Sequence, residues 1–154
     1  MNLVLDRETN PDYFEIVEKR FTKLMDQWNS INKKIHDAKI PIVVPFRVKG
    51  ELDEIQKELK ALQAAFLEWN QKAGDLLVEP KYGYKKDDNI IAIMVHYSGI
   101  LKHRISTMNH DMLLIANNYN NKIDQYKSQI NFIIAITSFV LTFMGLIIAL
   151  YTIF

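Results

Sequence analysis

Cysteine is absent from the chain, which excludes disulfides and thiolate metal sites without fixing a redox compartment. Proline occurs at 11, 41, 45 and 80 and nowhere after, so no proline beyond residue 80 forces a helix to stop. Charge disappears as well: all 19 basic and 18 acidic side chains precede Ser128. Arginine is scarce, four against 15 lysines, and the net charge is +1. Without a concentrated basic patch or Arg forks, nucleic acid is not an expected partner. Phosphate loops, G-x-S-x-G, H-E-x-x-H and calcium-loop patterns are all missing. The carboxylate pairs Asp53/Glu54 and Asp87/Asp88 sit at helix starts, where capping accounts for them. No catalytic residue, metal site or cofactor is read, and a non-catalytic protein is expected.

What the chain does contain is an uncharged run of 25 residues from Ile130 to Phe154, INFIIAITSFVLTFMGLIIALYTIF. As a helix it extends roughly 37 Å at about 1.5 Å per residue, against a hydrocarbon core of about 30 Å. A single transmembrane helix is expected there. Lys122 and Lys127 precede it and no charge follows, which places the N-terminal body on the cytoplasmic side. The opening Met-Asn-Leu-Val-Leu-Asp-Arg has no basic stretch followed by a long apolar run, so no secretory signal is read. A span in this position implies tail-anchored insertion, with the lipid bilayer as one partner.

Three helices emerge from the apolar periods. Asn10-Pro11 suits an N-cap and first turn, and Phe14, Val17, Phe21, Leu24, Trp28, Ile31 and Ile35 follow at alternating steps of three and four, a heptad seam ending at Ala38. The linker from Lys39 to Gly50 contains IPIVVPF, where two prolines exclude a helix. Its apolar side chains are expected against the helices or a neighbouring subunit. A second heptad seam, Leu52, Ile55, Leu59, Leu62, Phe66, Trp69, Ala73 and Leu76, begins after Gly50; its helix ends at Ala73 with Gly74 as the cap, or continues to Leu77. The stretch from Val78 to Asp87, VEPKYGYKKD, reads as a surface turn.

The third helix starts at Asp87, Asp88 or Asn89 and meets no proline afterwards. Its apolar stripe from Tyr97 to Ile130 has a mean step of about 3.67 residues, closer to an 11-residue repeat than to heptads. The expected fold is therefore all-α: an antiparallel three-helix, coiled-coil-like bundle over 1–115, a juxtamembrane stalk over 116–129, and a transmembrane helix over 130–154 continuous with the third helix. Gly99 and the Asn-rich stretch 117–121 are its candidate bend points. On this reading the bundle covers the third helix only to about Ile115, leaving Tyr119, Ile123 and Tyr126 for association with another chain.

Within the span, Ala135, Ser138, Thr142, Gly145, Ala149 and Thr152 recur at steps of three and four, and all are small. Such a face lets helices approach closely in lipid. It is read as a homo-oligomer seam or, in a larger ring, as the lining of a narrow pore or ion leak. A soluble or membrane protein partner is also expected for a scaffold or accessory subunit of a membrane complex. His96, His103 and His110 share a helix face as a polar row, each about 10.5 Å from the next along the axis, too far for one metal within one chain.

Arg104 and His110 form an R-x5-H spacing that resembles the Arg–His motif of HEPN-family RNases. That resemblance implies a membrane-tethered nuclease, although Ile105 stands where the family usually has a polar residue. In outline, a helix leading into a C-terminal span is also similar to the stalk of CorA-type magnesium channels, but no Gly-Met-Asn and no second span follow here.

Overall fold

The computed structural model describes residues 13–78 and 90–153. Three α-helices, α1 (Tyr13–Asp37), α2 (Lys49–Val78) and α3 (Ile90–Ile153), and one short 3-10 turn, Pro45–Val48, make up the described secondary structure. The expected caps at Asn10-Pro11 and at Asp87, Asp88 or Asn89 lie outside the described residues, as does the turn expected over Val78 to Asp87, apart from Val78 itself, which closes α2.

Both heptad seams fold inward as their spacing requires. Val17, Phe21, Leu24, Ile31 and Ile35 from α1 meet Leu52, Ile55, Leu59, Leu62, Trp69, Ala73 and Leu76 from α2 in one continuous core. From α3 this core receives Leu101, Met108, Met112, Ile115 and Tyr119. Phe14 stacks on Tyr97, Trp28 donates to the carbonyl of Asp111, and Asn118 donates to Asn32. These contacts rise in step along both helices, so α1 runs parallel to α3. The path then reverses: Tyr119 on α3 bonds Leu52, close to the start of α2, so α2 runs antiparallel to both. The architecture is the all-α bundle with a long C-terminal apolar helix.

Three differences from the sequence reading stand out. First, the linker does hold helical backbone. Pro45 opens the 3-10 turn, a position where its fixed φ is already suitable and its missing N–H is not needed. The chain then enters α2 at Lys49, ahead of Gly50 rather than after it. Second, of the two expected ends of α2 the structure takes the later one: the helix passes through Gly74 and ends at Val78, one residue beyond Leu77. No positive φ occurs at any described glycine, so Gly74 acts as an ordinary helical residue and not as a cap.

The third difference concerns how far the bundle reaches. Tyr119 is buried, and Ile123 and Tyr126 are partly buried against the same core. Cover thus extends well past Ile115, supplied by the first turns of α2. α3 itself is a single α-helix of 64 residues, about 96 Å long at about 1.5 Å per residue, and it passes through Gly99 and the Asn-rich stretch without interruption.

Tyr119 provides a test of this longer cover. Its hydroxyl donates to the Leu52 carbonyl at 3.2 Å, and burial, with the Asp53 carboxylate adding to it, raises its pKa. A phenol held neutral in the fold contributes stability that is complete below about pH 10 and is lost as pH rises through the raised folded value. Tyr119→Phe is expected to cost about 1 kcal/mol near neutral pH, the net worth of one hydrogen bond. It should also reduce the loss of stability above about pH 10. Chemical denaturation followed by circular dichroism at both pH values checks both effects, and an unchanged alkaline loss would show that Tyr119 is not the group responsible.

Candidate membrane span and association surface

One helix among the described residues, α3, is long and apolar enough to cross a membrane. From Phe132 onward its large side chains are mostly exposed, including Phe132, Phe139, Leu141, Phe143, Leu146, Ile148 and Leu150. Water-soluble monomers rarely expose a contiguous apolar surface of that extent. Its backbone suits lipid, because an α-helix satisfies its polar groups internally.

The small face runs along this exposed cylinder. Ala135, Ser138, Thr142, Gly145, Ala149 and Thr152 are all exposed, and no other element among the described residues covers them. A Cβ built on Gly145 meets no atom within 4 Å, so open space surrounds this point of the helix. Two hydroxyls on the face are already engaged. Thr142 Oγ1 donates to the Ser138 carbonyl at 2.8 Å, and Thr152 Oγ1 donates to the carbonyls of Ala149 and Ile148 at 2.9 and 3.2 Å. Threonine in an apolar setting commonly bonds back to its own helix in this way. Phe139 and Phe143 stack on a different face, ring centroids 6.4 Å apart.

Below the span, the residues expected to form a stalk are turned toward their own bundle. Tyr119, Ile123 and Tyr126 line a groove of about 330 Å³ with Lys49, Leu52 and Gln56. On the side of α3 that faces α1, Lys122 reaches the end of that helix. Its Nζ donates to the carbonyl of Ala38 at 2.9 Å and lies 3.5 Å from that of His36. The last carbonyls of a helix lack intrahelical donors and carry the negative end of the dipole, so an ammonium there acts as a cap. In the sequence, Lys122 stands out only as a charge flanking the span. A cap supplied by another helix has no local sequence signature and is visible only once α1 and α3 are known to be parallel.

The histidines and Arg104 separate in the structure. His96, His103 and His110 are exposed along one face of α3, and no group of three or more His, Asp or Glu side chains among the described residues could hold a metal ion. Arg104 turns to α1 instead. Its guanidinium carbon sits 4.7 Å from the centroid of the Phe21 ring, and Nη2 is 3.6 Å from Glu18 Oε2. Arg104 Nε and Glu18 Oε1 are buried without a hydrogen-bond partner. Arg104 is thus occupied in helix packing while His110 faces outward, and the structure does not assemble them into one site.

Other grooves follow the helix contacts. One of about 520 Å³ between α1 and α2 is lined by Ile31, Lys34, Glu58, Ala61, Leu62 and Ala65, with Lys34 and Glu58 paired across it. Nearby, Glu68 on α2 accepts from both Lys72 and Arg20, and these two contacts hold its carboxyl below the usual range. These are surface ion pairs, each worth little, and among the described residues no nucleophile or acid–base pair converges on them.

The cap at Ala38 makes a local prediction. Lys122→Met keeps the apolar stem and removes the charge. Amide hydrogen exchange is expected to speed up in the last turn of α1 and at Ala38, with little change at Leu24 in mid-helix. Uniform acceleration along α1 would mean that Lys122 supports the whole bundle and not the helix end.

Compared with protein-family models, with curated proteins and with solved structures, the chain matches none.

Proposed function

We propose that this chain is a non-catalytic helical membrane protein, anchored by the apolar part of α3, that associates with further copies of itself through the span and serves as a scaffold or accessory subunit of a membrane complex. The observation that carries the reading is the six-position small face of α3, from Ala135 to Thr152, exposed over its whole length. In lipid there is no hydrophobic force between helices, so close backbone approach and van der Waals contact drive association. Small side chains at three- and four-residue steps permit that approach. The orientation rests on Lys122 and Lys127 before the span, which favour a cytoplasmic bundle.

The threonine bonds bear on what kind of assembly this is. Thr142 and Thr152 spend their only O–H donors on their own helix, leaving methyl groups and oxygens to face a neighbour. A face of that kind suits dry packing better than a hydrated pore lining. The packing groove at Tyr119 also moves the expected weight of association from the stalk to the span, because Tyr119 is already buried within its own chain.

Gly145→Leu places a bulky side chain on this face without touching the bundle. Individual interhelical interactions in lipid are worth on the order of 1 kcal/mol, so disrupting this face is expected to raise the self-dissociation constant by about five- to tenfold. Mass photometry of the detergent-solubilised full chain reads this as a shift toward monomer. An oligomer mass identical to the unsubstituted chain over a dilution series would sink the packing claim.

A further inference from the structure

We propose that the α1–α2 linker is a second membrane-contacting element, which seats Ile42, Val43, Val44 and Phe46 in the headgroup region of the bilayer that α3 enters, with Lys39, Arg47 and Lys49 against anionic lipid phosphates. The proposal rests on the reading of α3 as a membrane span, and its ligand is a phospholipid surface.

Three independent observations place the linker there. The first is topological. Because α1 runs parallel to α3, the turn after α1 lies at the end of the bundle nearest the span. The Lys122 ammonium holds Ala38, and Lys122 is eight residues, about 12 Å, before Ile130. Beyond Ala38 the linker continues, and Lys49 shares a groove with Tyr126 and Lys127, only about 5 Å before Ile130. Each interfacial layer of a bilayer is about 6 Å thick, and the uncharged run exceeds the hydrocarbon core by about 7 Å. The linker is therefore level with the headgroups.

The second observation is the distribution of exposed apolar side chains. Outside the span, large exposed hydrophobic residues among the described ones occur singly or as the pair Leu113 and Leu114, except at the linker, where four fall within residues 42–46. Val43 is 82% exposed and Ile42 63%, while Pro45 and Val48 beside them are buried. The linker is thus anchored to the bundle by two residues and turns the others outward. A cluster of this kind marks a surface that something covers.

The third is the chemistry of the segment. Residues 39–50 contain Lys39, Arg47 and Lys49 and no acidic residue, with Asp37 and Glu51 just outside. Basic side chains near a cytoplasmic leaflet are each worth about 1 kcal/mol of attraction to anionic lipid. Pro41 and Pro45 have no N–H to leave unsatisfied in a poorly hydrated layer. The backbone bond that closes the turn runs from the Arg47 N–H to the Val44 carbonyl. N–H groups at Ile42 to Val44 limit the depth to the wet headgroup boundary, where water and phosphate oxygens accept them.

The absence of cysteine allows a direct test. Single-cysteine variants Val43→Cys, Gln63→Cys and Phe139→Cys of the full chain carry an environment-sensitive fluorophore in phosphatidylcholine vesicles, with or without phosphatidylglycerol, containing lipid-borne quenchers at headgroup or mid-chain depth. The Val43 probe is expected to shift to the blue and to lose emission to the headgroup quencher, more so with phosphatidylglycerol. Gln63, exposed in mid-α2, is expected to stay unquenched, and Phe139 to respond to the mid-chain quencher. If Phe139 is quenched and Val43 behaves like Gln63, the linker proposal is overturned while the span stands. Shielding of Val43 from aqueous iodide without lipid quenching would also overturn it, assigning the linker to a second protein chain. An unquenched Phe139 would overturn both readings together.

Discussion

Three aromatic donors set the alignment of the helices, and every other feature depends on that alignment. Trp28 of α1 bonds the Asp111 carbonyl of α3, Trp69 of α2 bonds Val17 of α1, and Tyr119 of α3 bonds Leu52 of α2. Each acceptor is a backbone carbonyl, whose second lone pair remains available after any helical bond. Apolar seams alone specify which faces meet, but they tolerate sliding by a heptad, because each seam repeats. A buried N–H or O–H that finds its partner in only one alignment makes the slipped arrangements costly, since an orphaned donor forfeits about 1–3 kcal/mol. The cycle α1 to α3, α3 to α2, α2 to α1 fixes all three pairings, and no helix can slide alone.

From this alignment follows the polarity of the molecule. The parallel arrangement of α1 and α3 puts the α1–α2 linker beside the start of the uncharged segment, and the end of α2 and the start of α3 at the far end. One helix then carries two kinds of surface. Up to Tyr126, α3 buries a stripe against α1 and α2 and turns Lys102, His103 and Asn109 outward. From Phe132 it is apolar around its whole circumference, and its large side chains stand mostly clear of the bundle. The transition occupies about one and a half turns, from Lys127 to Phe132, too short for an independent stalk.

Much of this was legible from periodicity. The heptad seams of α1 and α2 named the core correctly from Val17 to Leu76, and the uncharged run marked the apolar helix. What periodicity could not supply was the offset between helices. Counting about 25 residues of cover from the start of α3 near Asn89 ends close to Ile115. The Phe14–Tyr97 stack instead sets the overlap with α1 some seven residues further along, and the 30 residues of α2 bring cover to Tyr126. The same offset explains the linker. Its four exposed apolar residues were expected to be covered by protein, because sequence alone gave no indication of which end of the bundle they occupy. The small face of the span was equally plain in the sequence, whereas the Lys122 cap and the division between Arg104 and His110 depend on azimuth and offset together.

The proposed association and the proposed lipid contact constrain each other geometrically. If copies of α3 pack through the face from Ala135 to Thr152, they lie side by side with the same end up, because all insert with the bundle on one side of the membrane. Symmetry about an axis normal to the bilayer then holds every linker at the same depth. Each added copy brings Lys39, Arg47 and Lys49 to the same leaflet, and the attraction to anionic lipid accumulates over the assembly without any new contact within a chain. A bundle held only by one continuous helix tilts with that helix as a unit, whereas one also seated on its linker is held at two points. That second point would restrict the directions in which the exposed polar face with His96, His103 and His110 can meet a partner. Orientation, more than affinity, is what the linker would contribute to a scaffold.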